Sequence, residues 1–314
     1  MIIKKIFICV ICILIIWIFY ITICKNEYFI SNYKEIELND LISGERIQRL
    51  SDLCIYDKNY INKYPVEKYC NDIIYLNVHI PDIDIKKIKK SKVFFVKTDY
   101  LQYFYKQIEP IIDNKFILIT HNSDINPDLK AFPYKNIIKN NKLIKWFGEN
   151  LPVTSKSKCI PIGLENSVHQ RVNMNNILKY RNTDKKFLLY FNFNENTNPI
   201  RKKIKKLLLN NNFNFNKNLK WNDYIKELCK YKFCISPPGN GIDCHRHWEC
   251  IYVGTIPIIL KDNNVIYDNF KDLPILFVNN YNKINKKFLE IKNNEMKNKY
   301  YNLEKTKLSY WENE

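Results

Sequence analysis

The chain has 314 residues, of which 46% are hydrophobic and 26% charged, and it carries a formal net charge of +18. Ala131 is the only alanine, whereas Asn, Ile, Lys and Tyr abound, so AT-rich coding accounts for part of that charge through lysine. The basic residues form no single dense tract and no aromatic-interleaved binding motif is present, which argues against a nucleic-acid partner and leaves anions such as sugar nucleotides, acidic glycans or phosphate-bearing membranes.

Lys4 and Lys5 precede Ile6–Cys24, 19 residues without a charge. At 1.5 Å per residue such a stretch is just long enough to span a bilayer. Bulky Trp17, Phe19 and Tyr20 stand where a cleaved signal peptide would place small residues. Residues 1–25 therefore read as a cytoplasmic tip and an uncleaved signal anchor, with the body on the far side, as in a single-pass type II protein. Residues 26–52 are polar and mixed in charge, and read as a stem.

The body alternates apolar runs with polar helical stretches. Ile73–Ile80, Val93–Thr98 and Phe116–Thr120 are predicted strands, with a shorter one at Cys159–Ile162. Tyr100–Ile108 and Asn136–Phe147 are predicted helices. This rhythm argues for α/β architecture with a parallel sheet. Asn173–Lys185 is polar and reads as a linker, dividing an N-terminal domain (53–178) from a C-terminal one (179–314). The second alternation has predicted strands at Phe187–Phe191, Tyr231–Ser236, Thr255–Leu260 and Leu273–Val278. Its predicted helices are Pro199–Leu209, Trp221–Tyr231 and one or two over Lys286–Trp311.

Some features invite a metal or a crosslink. Asp82-Ile83-Asp84 could be a metal-binding D-x-D, but ahead of a Lys-rich stretch a helix cap is the simpler reading. Cys244, His245, His247 and Cys250 lack the paired hairpin spacing of a structural zinc site, and one helix cannot turn all four inward, so no metal is expected. Cys54 and Cys70 flank a Tyr/Asn/Pro loop and are the expected disulfide pair. No Asn-x-Ser/Thr sequon occurs.

The most informative stretch is Phe233–Ile259. It holds three of the six glycines, Gly239, Gly241 and Gly254. A buried strand ends at Pro237-Pro238, Gly239-Asn240-Gly241 turns the chain, and a helix follows with Asp243 as N-cap and Gly254 as stop. The helix N-terminus suits a phosphate. Arg246 and Glu249, three apart, share one face near it: a guanidinium to grip a diphosphate and a carboxylate to accept from ribose. The competing reading is an ordinary surface ion pair.

The run PPGNGIDCHRHWECIYVGTIPII resembles the C-terminal motif of exostosin-like glycosyltransferases. ILITHNSD (117–124), KWFGEN (145–150), KCIPIGLEN (158–166) and LLYFNF (188–193) resemble the same group, in the expected order. The resemblance implies a GT-B fold, two Rossmann-like domains with a sugar-nucleotide donor held mainly by the C-terminal one. It implies a membrane-anchored glycosyltransferase, metal-independent and inverting, acting from a UDP- or GDP-sugar on a glycan or glycoprotein hydroxyl, in the Golgi or ER lumen. Carried onto this sequence, Arg246 and the backbone at Gly239–Gly241 clamp the diphosphate and Glu249 holds ribose. Ser236, Asn240, His245 and Lys158 are further donor contacts, with capping, packing or surface roles as alternatives. The general base is expected after the strand Phe116–Thr120, at Asp124 or His121. A catalytically silent glycan-binding or scaffolding protein of the same fold is the alternative.

Overall fold

The structure, a computed structural model, describes residues 36–65, 67–76, 84–169, 171–261, 264–297 and 299–314. The expected anchor, Ile6–Cys24, lies outside the described residues, among which no helix is long and apolar enough to cross a membrane.

Among the described residues ten strands form two sheets, every pairing parallel. The first contains β1 (Leu53–Asp57), β2 (Ile73–Leu76), β3 (Val93–Lys97), β4 (Phe116–His121), β5 (Leu143–Gly148) and β6 (Ser157–Cys159), in the order β2-β1-β3-β4-β5-β6. The second runs β10-β9-β8-β7, from β7 (Phe187–Tyr190), β8 (Tyr231–Ile235), β9 (Ile256–Leu260) and β10 (Leu276–Val278). Five helices matter below: α1 (Gly44–Gln48), α2 (Pro199–Asn210), α3 (Trp221–Leu228), α4 (His245–Tyr252) and α5 (Leu308–Glu312).

Parallel strands are buried on both faces, and the first sheet shows it in its alternation. Leu53, Ile55, Phe94, Val96, Phe116 and Leu118 pack into a cluster on one face. Their neighbours Cys54, Tyr56, Phe95 and Ile119 belong to a larger cluster, which continues through Leu189, Phe233 and Ile258 of the second sheet. The two halves thus meet along shared apolar packing.

Several expectations are corrected. Asn136–Phe147 is no continuous helix: helical Tyr134–Lys139 is followed by strand β5. The apolar spacing of Leu143, Trp146 and Phe147 mimics a helix face, while Ile144 is exposed. β1 was hidden behind the supposed stem, and residues 36–52 are no spacer. Ile36, Leu41, Ile42 and Ile47 are core residues, and Ser43 bridges to Leu164. The chain's end also leaves the second half: α5 seats Trp311 against Phe147 of β5, and Ser309 donates to Asp40 (2.7 Å). Cys54 and Cys70 are disulfide-bonded, with Cα atoms 5.9 Å apart. Of the D-x-D, Asp84 caps Ile85–Lys90 by accepting from the Lys86 and Lys87 amides; Asp82 lies outside the described residues.

Candidate active site

In parallel α/β sheets, groups that bind ligands collect beyond the carboxyl ends of the strands. Both sheets here turn those ends toward one cleft, whose two cavities share Glu165 as a wall.

The larger cavity, about 700 Å³, belongs mostly to the second half. Asn192 and Asn194 after β7, Trp221 and Tyr224 of α3, and Arg246 and Glu249 of α4 line it. Arg246 sits in the first turn of α4. Its Nη1 donates to the Asn192 carbonyl and its carbon Cζ lies 5.5 Å from the centre of the Tyr224 ring. Its Nε has no partner, and no carboxylate comes within ion-pair distance of it among the described residues. Burial alone would lower the Arg246 pKa, but Tyr224, Cys234, Glu249 and Cys250 around it raise it overall, so the guanidinium stays charged. Glu249 is buried and already accepts from Trp221 Nε1 (2.8 Å) and from the Tyr224 hydroxyl (3.0 Å). Burial and then the Glu249 charge push the Tyr224 pKa up, keeping its phenol a donor. Each carboxylate oxygen can accept once more, so Glu249 retains capacity for a ligand hydroxyl.

The smaller cavity, about 160 Å³, lies at the ends of β4 and β5. His121, Asp124 and Glu149 line it, with Tyr60, Asn166, His169 and His245. His121 Nε2 donates to the Pro161 carbonyl (2.9 Å), and its Nδ1 lies 3.5 Å from Glu149 Oε2. Burial is the main reason the His121 pKa is lowered. Glu149 is 1% exposed, and burial, followed by the charge of Asp243, holds its pKa well above the ordinary 4.5. Its Oε1 has no partner. Asp124 is exposed, and its Oδ2 accepts from Asn240 Nδ2 (3.3 Å) across the seam between the halves.

The loop before α4 builds that seam. Cys244, and not Asp243, is the N-cap of α4. The Asp243 carboxylate is buried and accepts from the Cys244 amide (2.9 Å), Trp248 Nε1 (2.9 Å) and, across the seam, the Ile162 amide (2.8 Å). His247 Nδ1 lies 2.8 Å from it, and His247 Nε2 donates to the Ser236 carbonyl (3.2 Å). In return the Asp243 amide donates to Asn150 Oδ1 (2.9 Å) and His245 Nδ1 donates to the Gly163 carbonyl (2.8 Å).

Of the residues singled out in sequence, Arg246 and Glu249 line the large cavity, and His121, Asp124 and His245 the small one. The others do not line either. Ser236 is fully buried behind the loop. The Gly239 amide closes a turn on the Gly241 carbonyl (3.0 Å) instead of facing a ligand. Neither glycine has positive φ, unlike Gly163 and Gly254. They serve close approach: a Cβ would come within 3.2 Å of Arg201 Nη2 at Gly239 and of Asn150 Nδ2 at Gly241. Asn240 faces Asp124, and Lys158 pairs with Glu314 beneath α5. Glu149, Asp243, Glu165 and Trp221 were missed. Arg201 was too: it holds the loop through the Pro238 (2.9 Å) and Pro237 (3.2 Å) carbonyls. Glu149 had one signal, its place directly after a strand within the quoted KWFGEN.

No curated protein matches the chain. Residues 117–311, more than half of it and including both cavities' main walls, match the family model described as the Exostosin GT47 domain. The chain belongs to that family, and its activity class is accordingly glycosyl transfer.

Proposed function

We propose that this protein transfers a sugar from a nucleoside-diphosphate donor, a UDP-sugar in preference to a GDP-sugar, to a hydroxyl of a glycan or glycoprotein. The two parallel sheets facing one cleft fit the GT-B arrangement. The observation that carries the reading is Arg246, a charged guanidinium in the first turn of a helix, facing a cavity of about 700 Å³ with no carboxylate at ion-pair distance among the described residues. A diphosphate would satisfy it bidentately, with the helix end adding to the field. Both would offset the charge developing on the leaving group, so that no metal is required. Trp221 and Tyr224 offer aromatic surface to a base, and Glu249 an acceptor to ribose.

In this reading the acceptor occupies the small cavity. A carboxylate takes its proton as the oxygen attacks the anomeric carbon and the bond to the diphosphate breaks on the opposite face, with inversion. Glu149 is the assigned base: burial raises its pKa, which makes its carboxylate a stronger proton acceptor, and its Oε1 has no partner among the described residues. Asp124, opposite Asn240, is the competing carboxylate. His121, with Nε2 committed to Pro161, is assigned to positioning Glu149. The Cys54–Cys70 disulfide fits an oxidising lumen, and with the apolar Ile6–Cys24 supports a membrane-anchored luminal enzyme of the Golgi or ER.

Calorimetric titration of the full chain with UDP, GDP and CMP, with and without EDTA, tests this beside Arg246→Ala. One nucleotide should bind, independently of EDTA and at least about a hundredfold more weakly in the variant, as expected for losing two charge-assisted hydrogen bonds. A folded protein that binds none of the three refutes the donor site. Nucleotide binding without transfer to any glycan would leave a silent binding protein.

A further inference from the structure

Charge is distributed unevenly along the cleft. The large cavity is lined by Arg171, Lys220 and Arg246 beside Glu165 and Glu249. The small one has no lysine or arginine in its wall, although the chain carries +18; its charged side chains are Asp124, Glu149 and Glu165. Arg171, the one cation paired with Glu165 (3.5 Å), stands outside at 75% exposure. Lys97, close to the Tyr60 ring, is held by Asp99. Acidic side chains alone would not make a site, but here they enclose a defined cavity. Moreover, Glu149 is buried and presents an oxygen with no partner among the described residues. That orphaned acceptor awaits a donor such as a hydroxyl, because a buried polar atom left unpaired is destabilising.

We infer that the small cavity selects an uncharged sugar residue as acceptor and rejects one bearing a carboxylate or sulfate. This rests on the transferase reading for the word acceptor, but not for the binding itself. A neutral pyranose offers the hydroxyl donors that Glu149, Asp124 and Glu165 lack. Asn166, His169 and His245 supply complementary groups to its oxygens. An anionic sugar would bring a further negative charge within reach of exposed Asp124 and partly buried Glu165 and find no lysine or arginine in the cavity wall. The basic surface elsewhere then concerns the donor or the membrane, and not an acidic acceptor chain.

The test compares isosteric pairs by saturation-transfer NMR on the full chain: the methyl glycosides of glucose, galactose and mannose against the corresponding uronates. At least one neutral glycoside should bind, with its uronate about tenfold weaker at low salt, the effect of roughly two like charges near 5 Å in water. The Asp124→Asn/Glu165→Gln double variant should reduce that discrimination to about twofold while remaining folded by circular dichroism. A uronate that binds as tightly as its neutral partner overturns the inference. So does failure of all three neutral glycosides while UDP or GDP still binds, an outcome that leaves the donor site standing. Neutral binding with no nucleotide binding would preserve the charge selection and remove the transferase reading instead.

Discussion

Replacing Glu149 by Gln separates stability from chemistry. The carboxyl is buried, its Oε1 lacks a partner, and its nearest charged neighbour of consequence is buried Asp243. Its folded-state pKa lies above the ordinary 4.5, so the folded protein retains a proton that the unfolded chain has released. Stability from this group is therefore complete below about pH 4.5 and is lost as pH rises toward the folded pKa. His121 acts with the opposite sign: its lowered pKa contributes stability that is lost as pH falls below about 6.5. Comparing wild type with Glu149→Gln largely cancels the histidine. The amide is isosteric with the protonated acid and never ionises. We expect the variant to gain roughly 1–3 kcal/mol over wild type at pH 8, the desolvation penalty of the buried carboxylate that Gln never forms, and nothing at pH 4. Transfer should fall by about 10²–10⁴-fold, as when a general base is removed. Urea unfolding at pH 4, 6 and 8 beside product assays reads both. Parallel stability curves, or a variant weaker than wild type at pH 8, would refute the reasoning about burial; unchanged transfer would shift the base to Asp124.

Asp243→Ala should cost roughly 2–6 kcal/mol, because it leaves the Ile162 amide and Trp248 Nε1 buried without an acceptor; chemical denaturation measures it. Trp221→Phe removes one donor from buried Glu249 and should lower stability by about 1.5–3 kcal/mol, with nucleotide affinity falling alongside, as read by thermal shift with and without UDP. At Gly44 a Cβ would fall 1.7 Å from Asn122 Oδ1, in the wall of the small cavity. Gly44→Ala should therefore abolish saccharide binding while leaving nucleotide titration near wild type, a split that a general folding defect would not produce.

Much of the fold was legible because buried parallel strands announce themselves. Val93–Lys97, Phe116–His121 and Ile256–Leu260 are mostly apolar runs rich in β-branched and aromatic residues. β5 is hard to read because exposed Ile144 and partly exposed Lys145 interrupt its buried residues and leave them at helical spacing. The lead-in at 36–52 escaped because its apolar residues are too sparse to pattern, and only tertiary contact with residues 164 and 307 shows them buried. At the site, Arg246 and Glu249 could be placed from one helix turn. Asp243 reads as a cap because capping is local; beside its local partners Cys244 and Trp248 it also accepts from the Ile162 amide, 81 residues away across the seam. Glu149 needed knowledge of its burial, which no local pattern carries.

The seam explains why a chain so poor in glycine concentrates it before α4. Gly241 packs on Asn150 and Asp124, Asp243 bonds Ile162, and His245 bonds Gly163, so three alternate positions of one loop are tied to the opposite half. Arg246 follows directly, and the wall that carries Glu165 follows directly after Gly163 and Leu164. The guanidinium in the large cavity and the carboxylates of the small one are therefore positioned by the same short span of backbone. A hinge that opened the cleft would have to break the buried Asp243 contacts, whose loss costs several times RT. The two cavities thus keep their relative placement in the resting protein, which is what a displacement between two bound substrates needs: reacting atoms held in line before either ligand contributes binding energy to hold them there.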